Sequence, residues 1–234
     1  KSAITFRPNT LQSIKLHISQ VLSMPIVDAH DKYLGLPSVI GRSKAKVFAS
    51  IKDQIWHHVQ GWKEKHLYWA GKEVLLKAVV QAIPKYSMSC FLLPDNIIRD
   101  IQSMVTNYWW VDTSEKHKIH WINWDKLYWS KDGGGLGFRN MKAFNYAMLA
   151  KQAWRILRNP NSLLSLILKA KYFPDTDFFH AKLSHRPSLT WKAILEGRKI
   201  LELGCRLRVD SGDSIQIWND RWLPRPKSFR ICSP

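Results

Sequence analysis

Apolar residues recur at helical steps along most of the chain, and the pattern is densest between Gly61 and Pro94. From Lys72 to Ile83, Val74, Leu75, Ala78, Val79, Ala82 and Ile83 fall on one face of a 3.6-residue period, widened by Leu76 and Val80. Only Glu73, Lys77 and Gln81 remain for the opposite side, so the pattern predicts a core helix that other helices cover. Pro84 ends or kinks it, and Pro94 marks the next boundary.

The flanking elements read the same way. Ala3–Phe6 is a short strand candidate, and Pro8-Asn9-Thr10 breaks it and caps a helix with Leu11, Ile14, Ile18, Val21 and Leu22 in a stripe. Gly35 and Pro37 in KYLGLP (32–37) predict a short strand and turn. Ser43 opens a helix running to about Gln60, with Val47, Phe48, Ile51, Ile55 and Val59 inward and Gly61 as its C-cap. Asp95 caps another, carrying Ile98, Ile101, Met104, Val105 and Tyr108. Val111–Gly137 is the least helical part, an aromatic-rich run of short strands or loops, and DGGGLGF (132–138) reads as a flexible junction. Further helices are predicted at Met141–Arg158, Ser162–Tyr172 and Leu189–Leu203, the last with Trp191, Ile194, Leu195, Ile200 and Leu201 inside and ended by Gly204. Strict alternation over Arg206–Trp218 around Asp210-Ser211-Gly212-Asp213 predicts a β-hairpin, with Arg206, Arg208, Gln216 and Trp218 on its outer face. The fold class expected is mainly α, with a short β remnant at the N-terminus and this hairpin near the C-terminus.

Charge changes the picture more than size does. The 234 residues carry 36 Lys and Arg against 18 Asp and Glu, a net charge of +18, which points to nucleic acid or another anionic partner. From Gly133 to Pro174 there is no acidic residue, while Arg139, Lys142, Lys151, Arg155, Arg158, Lys169 and Lys171 lie in that window. Lys151, Arg155 and Arg158 fall at i, i+4 and i+7 and share one helix face, a cationic stripe suited to phosphates. A second cluster, Lys63, Lys65 and Lys72, is interleaved with Trp62 and Trp69. Twelve Trp residues can fill a core, stack on bases or meet a partner, and most belong to the core.

Catalytic chemistry is hard to find. Asp28/Asp31 and Asp175/Asp177 read as turn formers, and the pairs His57/His58 and His117/His120 lack the further ligands a metal needs. The dispersed Cys90, Cys205 and Cys232 fit a reducing compartment, and no run approaches the roughly 18 apolar residues of a membrane span. A start at Lys-Ser-Ala without Met reads as part of a longer protein.

The ordered pieces KSAITF, KYLGLP, GWK, AGKEVLLKAVVQAIPKYSMSCFLLP, YWW, KIHWINWDKL, GGLGF, LAKQAWRIL, LKAKYFP and SIQIWNDRWLP resemble plant LINE-type (non-LTR) retrotransposon reverse transcriptases from Lys1 to about Pro224. The departures are Tyr68-Trp69, where that family favours Ser-Arg, and Val111 after YWW, where it favours Gly. The resemblance implies the end of a polymerase palm at 1–40, a helical thumb at 41–111 and an aromatic connector at 112–138. A second helical unit at 139–204, the hairpin at 205–224 and a tail at 225–234 complete the expected division. It also implies a primer grip at Tyr33, Leu34 and Gly35, and catalytic aspartates, with their Mg2+, outside this chain. The chain itself is expected to bind no cofactor and to polymerise nothing alone. Its expected partners are the RNA and DNA of a primer–template duplex and the palm and fingers of the same protein, without a membrane, in the nucleus. Backbone contacts are expected from Lys63, Lys65, Lys72, Lys151, Arg155, Arg158, Arg206 and Arg208. A stand-alone basic binding module and an inactive remnant of a degenerate element are the alternatives.

Overall fold

A computed structural model describes residues 3–7, 9–27, 32–33, 36–37, 44–63, 67–110, 122–209, 211–213, 215–218, 221–224, 229 and 231, with backbone alone at 32–33, 36–37 and 44–47. The molecule is mainly α. Its first helix, α1 (Gln12–Leu22), starts after Leu11, which makes no side-chain cap, rather than at Asn9 or Thr10. Before α1 the expected strand is reduced to one bridge. Ile4 pairs in parallel with Ile26, its N–H donating to Pro25 O at 3.0 Å and its carbonyl accepting from Val27 at 2.9 Å. β1 (Lys32–Tyr33) and β2 (Leu36–Pro37) pair antiparallel with Tyr33 opposite Leu36, as KYLGLP predicts.

The larger core is built on α2 (Lys44–Lys63) and α5 (Asp95–Trp110), packed together. Phe48, Ile51, Ile55 and Val59 are buried as expected. Gly61 does not end α2, which runs one turn further and lets Trp62 lie against Tyr108, ring centroids 5.9 Å apart. Between these helices the central segment is not one helix over 72–83. α3 (Trp69–Leu75) passes into a π-helical turn at Leu76–Val80, closed by Gln81 N–H donating five residues back to Leu76 O at 3.1 Å. Its buried face is Lys72, Leu76, Val80 and Gln81, whereas Val74 is 62% exposed and Ala78 and Ala82 face outward. The stripe expected inward, Val74, Ala78 and Ala82 with Gln81 opposite, is thus not the buried side: so broad an apolar surface leaves more than one side able to face the core, and the wide turn shifts every later side chain around the axis. Pro84 then precedes a short α4 (Lys85–Cys90), which the sequence pattern does not announce.

Residues 122–138 close this core with α6 (Trp124–Leu127) and a 3-10 turn at Lys131–Gly133. Trp124, Leu127 and Phe138 are buried in it, and Phe138 stacks on Trp124 at 5.2 Å. The glycine run is therefore not a free junction. Its chain folds back on α6: Leu136 and Phe138 N–H both donate to Leu127 O, and Gly137 N–H donates to Trp129 O at 2.7 Å. A Cβ on Gly135 would stand 2.2 Å from Trp129 O, so only glycine permits that return.

The second core is formed by α7 (Met141–Arg158), α8 (Leu163–Tyr172) and α9 (Leu189–Gly204). Side chains of Asn140, Ser162 and Ser188 cap them by accepting from Ala143, Ser165 and Trp191 N–H. Trp191 is fully buried, stacked on Tyr172 at 4.8 Å and on Phe173 at 5.5 Å. Arg198 holds the 178–181 loop through its guanidinium, donating to Phe178 O at 2.9 Å and Ala181 O at 2.7 Å. Ile200, expected inside, is 42% exposed. The backbones of α7 and α9 touch at Gly197, where a Cβ would lie 2.4 Å from Leu149 C.

One buried side chain binds the two cores. Asn145 of α7, 0% exposed, accepts from Leu93 N–H at 2.8 Å and donates to Met88 O at 2.8 Å and Phe91 O at 2.9 Å. It thus satisfies the backbone where α4 gives way to α5. After α9 the expected hairpin does not form among the described residues. Leu207 N–H donates to Arg221 O instead, at 2.6 Å, and Leu207, Val209 and Ile217 are 47%, 45% and 57% exposed. Among the described residues no element covers that apolar face, so strand pairing there gains little burial.

Candidate nucleic-acid interface

The inward face of α7 is set by Asn145, Leu149, Ala150, Ala153 and Ile156. Exposed are Lys142 and Ala143 in the first turn and, further along, Ala147, Lys151, Trp154, Arg155 and Arg158. The periodicity of the buried residues thus places the three cations together, as the sequence predicts. None has a carboxylate partner among the described residues; Arg155 alone makes a side-chain bond, donating to Gln152 Oε1 at 3.2 Å. The other cations of the acid-free window are differently engaged. Lys142 pairs with Asp95 at 2.9 Å, which raises the pKa of its ammonium. Arg139 lies 4.9 Å over the Phe144 ring and Lys171 5.4 Å over Tyr172. Lys169 is exposed near the end of α8.

Arg155 and Arg158 sit in the last turn of α7, where cations also favour the helix dipole. That accounts for two of the three charges. It explains neither Lys151, two turns back, nor a tryptophan 45% exposed in their midst.

The remaining expected contacts are scattered. Lys63 is exposed at the end of α2, and Arg206 and Arg208 are exposed after α9. Lys65, Leu34 and Gly35 lie outside the described residues, as does the side chain of Tyr33. Lys72 differs from its expected role. It is buried, 9% exposed, its ammonium 5.2 Å over the Trp69 ring and 5.6 Å over Tyr108, so it is held by rings inside the fold rather than offered to phosphates. Trp69 itself meets Trp109 edge-on at 5.0 Å, so its ring extends this cluster.

One acidic group is firmly set. Lys77 donates to Glu73 Oε1 at 2.7 Å and also to Leu136 O, while Lys131 approaches Glu73 at 3.1 Å. The hydrogen bond from Lys77 lowers the Glu73 pKa, against the opposing effect of burial and with help from Lys131. This pins the glycine loop to α3. Among the described residues, no three His, Cys, Asp or Glu side chains are grouped to hold a metal ion, and no helix is long and apolar enough to cross a membrane.

No protein-family model matches the chain. An uncharacterized mitochondrial protein of Arabidopsis thaliana is 41% identical over 143 residues, which cover 61% of this chain and 93% of that protein. The chain belongs to the family of that mitochondrial protein. The match extends to a second plant protein, named "Putative ribonuclease H protein", also of Arabidopsis thaliana, at 35% identity over 193 residues. There it covers 80% of this chain but 31% of the longer protein. The family's segment thus occurs both as nearly the whole of one relative and as a minor part of another.

Proposed function

We propose that the chain is the part of a plant LINE-type reverse transcriptase that follows the catalytic palm, and that it holds primer–template nucleic acid by backbone contacts. The observation that carries this reading is the α7 face, where Lys151, Arg155 and Arg158 stand exposed with no carboxylate partner among the described residues, in a molecule of net charge +18. The order of the sequence motifs supports it. So does the relative named for ribonuclease H, an activity directed at RNA paired with DNA, the hybrid that reverse transcription makes. Tyr33, Leu34 and Gly35 are the primer grip in this reading, with Tyr33 paired to Leu36 across the β1–β2 ladder. In this reading the catalytic aspartates and their Mg2+ belong to the palm of the parent polymerase rather than to this chain. Its place of work is the nucleus.

The test is binding of the purified chain to an RNA–DNA hybrid over a range of salt. Affinity falls steeply with salt, and changing Lys151, Arg155 and Arg158 together to Ala lowers the log–log slope by about three units. An unchanged affinity and slope would remove α7 from the interface. In the full-length parent, Gly35→Val reduces primer extension while template binding holds; unchanged extension by a folded variant refutes the grip.

A second reading has its own support. The mitochondrial relative is matched over 93% of its length, so this segment constitutes most of a shorter protein. A basic binding module acting without a palm fits that match, and it predicts the same salt-dependent binding with no effect on extension when palm and fingers are supplied in trans.

A further inference from the structure

On the cationic face of α7 one large aromatic ring is left half exposed. Trp154 is 45% exposed, makes no ring contact with any described residue, and its indole N–H has no partner among them. In the second core, by contrast, Trp191 is sandwiched at 0% exposure, and Phe173 and Phe178 are buried. Trp154 is flanked by Lys151 three residues before and Arg158 four residues after, positions about 5–6 Å away on a helix surface. Arg155 follows it directly. A flat ring set among uncompensated cations offers two things at once, a stacking surface and phosphate charge.

We propose that Trp154 stacks an unpaired base, so that the α7 face engages a single strand or a frayed strand end as well as a duplex backbone. This rests on the nucleic-acid reading above and deepens it. A closed duplex hides its base faces and presents phosphates alone, which would leave the ring uncovered. An unpaired strand supplies the π face, and any base serves, because stacking does not depend on sequence. A protein partner would have to cover the ring and also bring carboxylates to three cations. A nucleic acid meets both needs with its ordinary chemistry.

The experiment measures binding of labelled oligouridylate and of a blunt RNA–DNA hybrid to the full chain by fluorescence anisotropy. Trp154→Leu, which keeps apolar bulk without a π system, should weaken oligouridylate binding roughly 5- to 100-fold. It should leave the salt slope unchanged and hybrid binding within about twofold. Trp154→Phe should recover much of the loss. Unchanged oligouridylate affinity for Trp154→Leu overturns the proposal, as does an equal loss for both ligands. If the triple cation variant weakens binding and Trp154→Leu does not, stacking alone is wrong; if neither weakens it, the nucleic-acid reading of α7 fails too. Loss of concentration-dependent self-association in Trp154→Leu, with nucleic-acid binding intact, would make this face a protein interface and refute stacking.

Discussion

Asn145 shows how much of this fold depends on one polar atom group. Its amide satisfies Leu93 N–H, Met88 O and Phe91 O in a site closed to water. Asn145→Ala leaves these groups without partners and should cost about 3–5 kcal/mol, read as a lower urea midpoint. Asn145→Asp should be at least as damaging, since it removes both donors and buries a charge. Nothing in the apolar pattern marks this residue, because a polar side chain at an inward position looks like a surface one. Lys72 was hidden for the same reason. Its spacing among aromatic rings is visible in the sequence, but the choice between phosphates outside and rings inside depends on which face of α3 turns toward Tyr108.

Among the elements, the α7–α9 pair is the most exacting. Gly197→Ala would drive a methyl group into the backbone of Leu149 and Ala150 and should destabilise the chain by about 3 kcal/mol, visible in thermal unfolding. The α3–loop contact predicts a pH effect. The Glu73 carboxyl titrates below its unfolded value of 4.5, so its contribution is complete above that value and is lost as pH falls through the lowered folded one. Glu73→Gln should therefore flatten the decline in stability of acid unfolding curves below pH 4.5, and an unaltered decline would exclude this contact as its source. Helix extents followed directly from sequence where caps were present, as at Met141–Arg158. They did not where the backbone left regular α geometry, as at Leu76–Val80.

For the whole molecule, the two cores behave as one because Asn145 crosses between them, and their unfolding should be a single cooperative transition by circular dichroism. Asn145→Ala should split or broaden it. The charge excess acts at this scale as well. Long-range attraction by a net +18 raises encounter rates with any polyanion, so specificity must be sought in local features such as Trp154 rather than in overall affinity.

By itself the sequence determined the mainly helical class, the inward stripes of α2 and α5, and the cationic outward stripe of α7. Each follows from a period that a regular helix must obey. Only the tertiary structure decided which side of the 72–83 segment is buried, because its apolar stripe is broad enough to face the core more than one way and the π-helical turn brings Gln81 to the buried side. It also decided that the glycine run is a tight return rather than a hinge: Gly135 is required by the nearness of Trp129 O, a contact between segments that no local pattern encodes. That Leu207 bonds to Arg221 rather than across the expected turn was decided there too, since alternation forms a hairpin only where a second layer receives its apolar face.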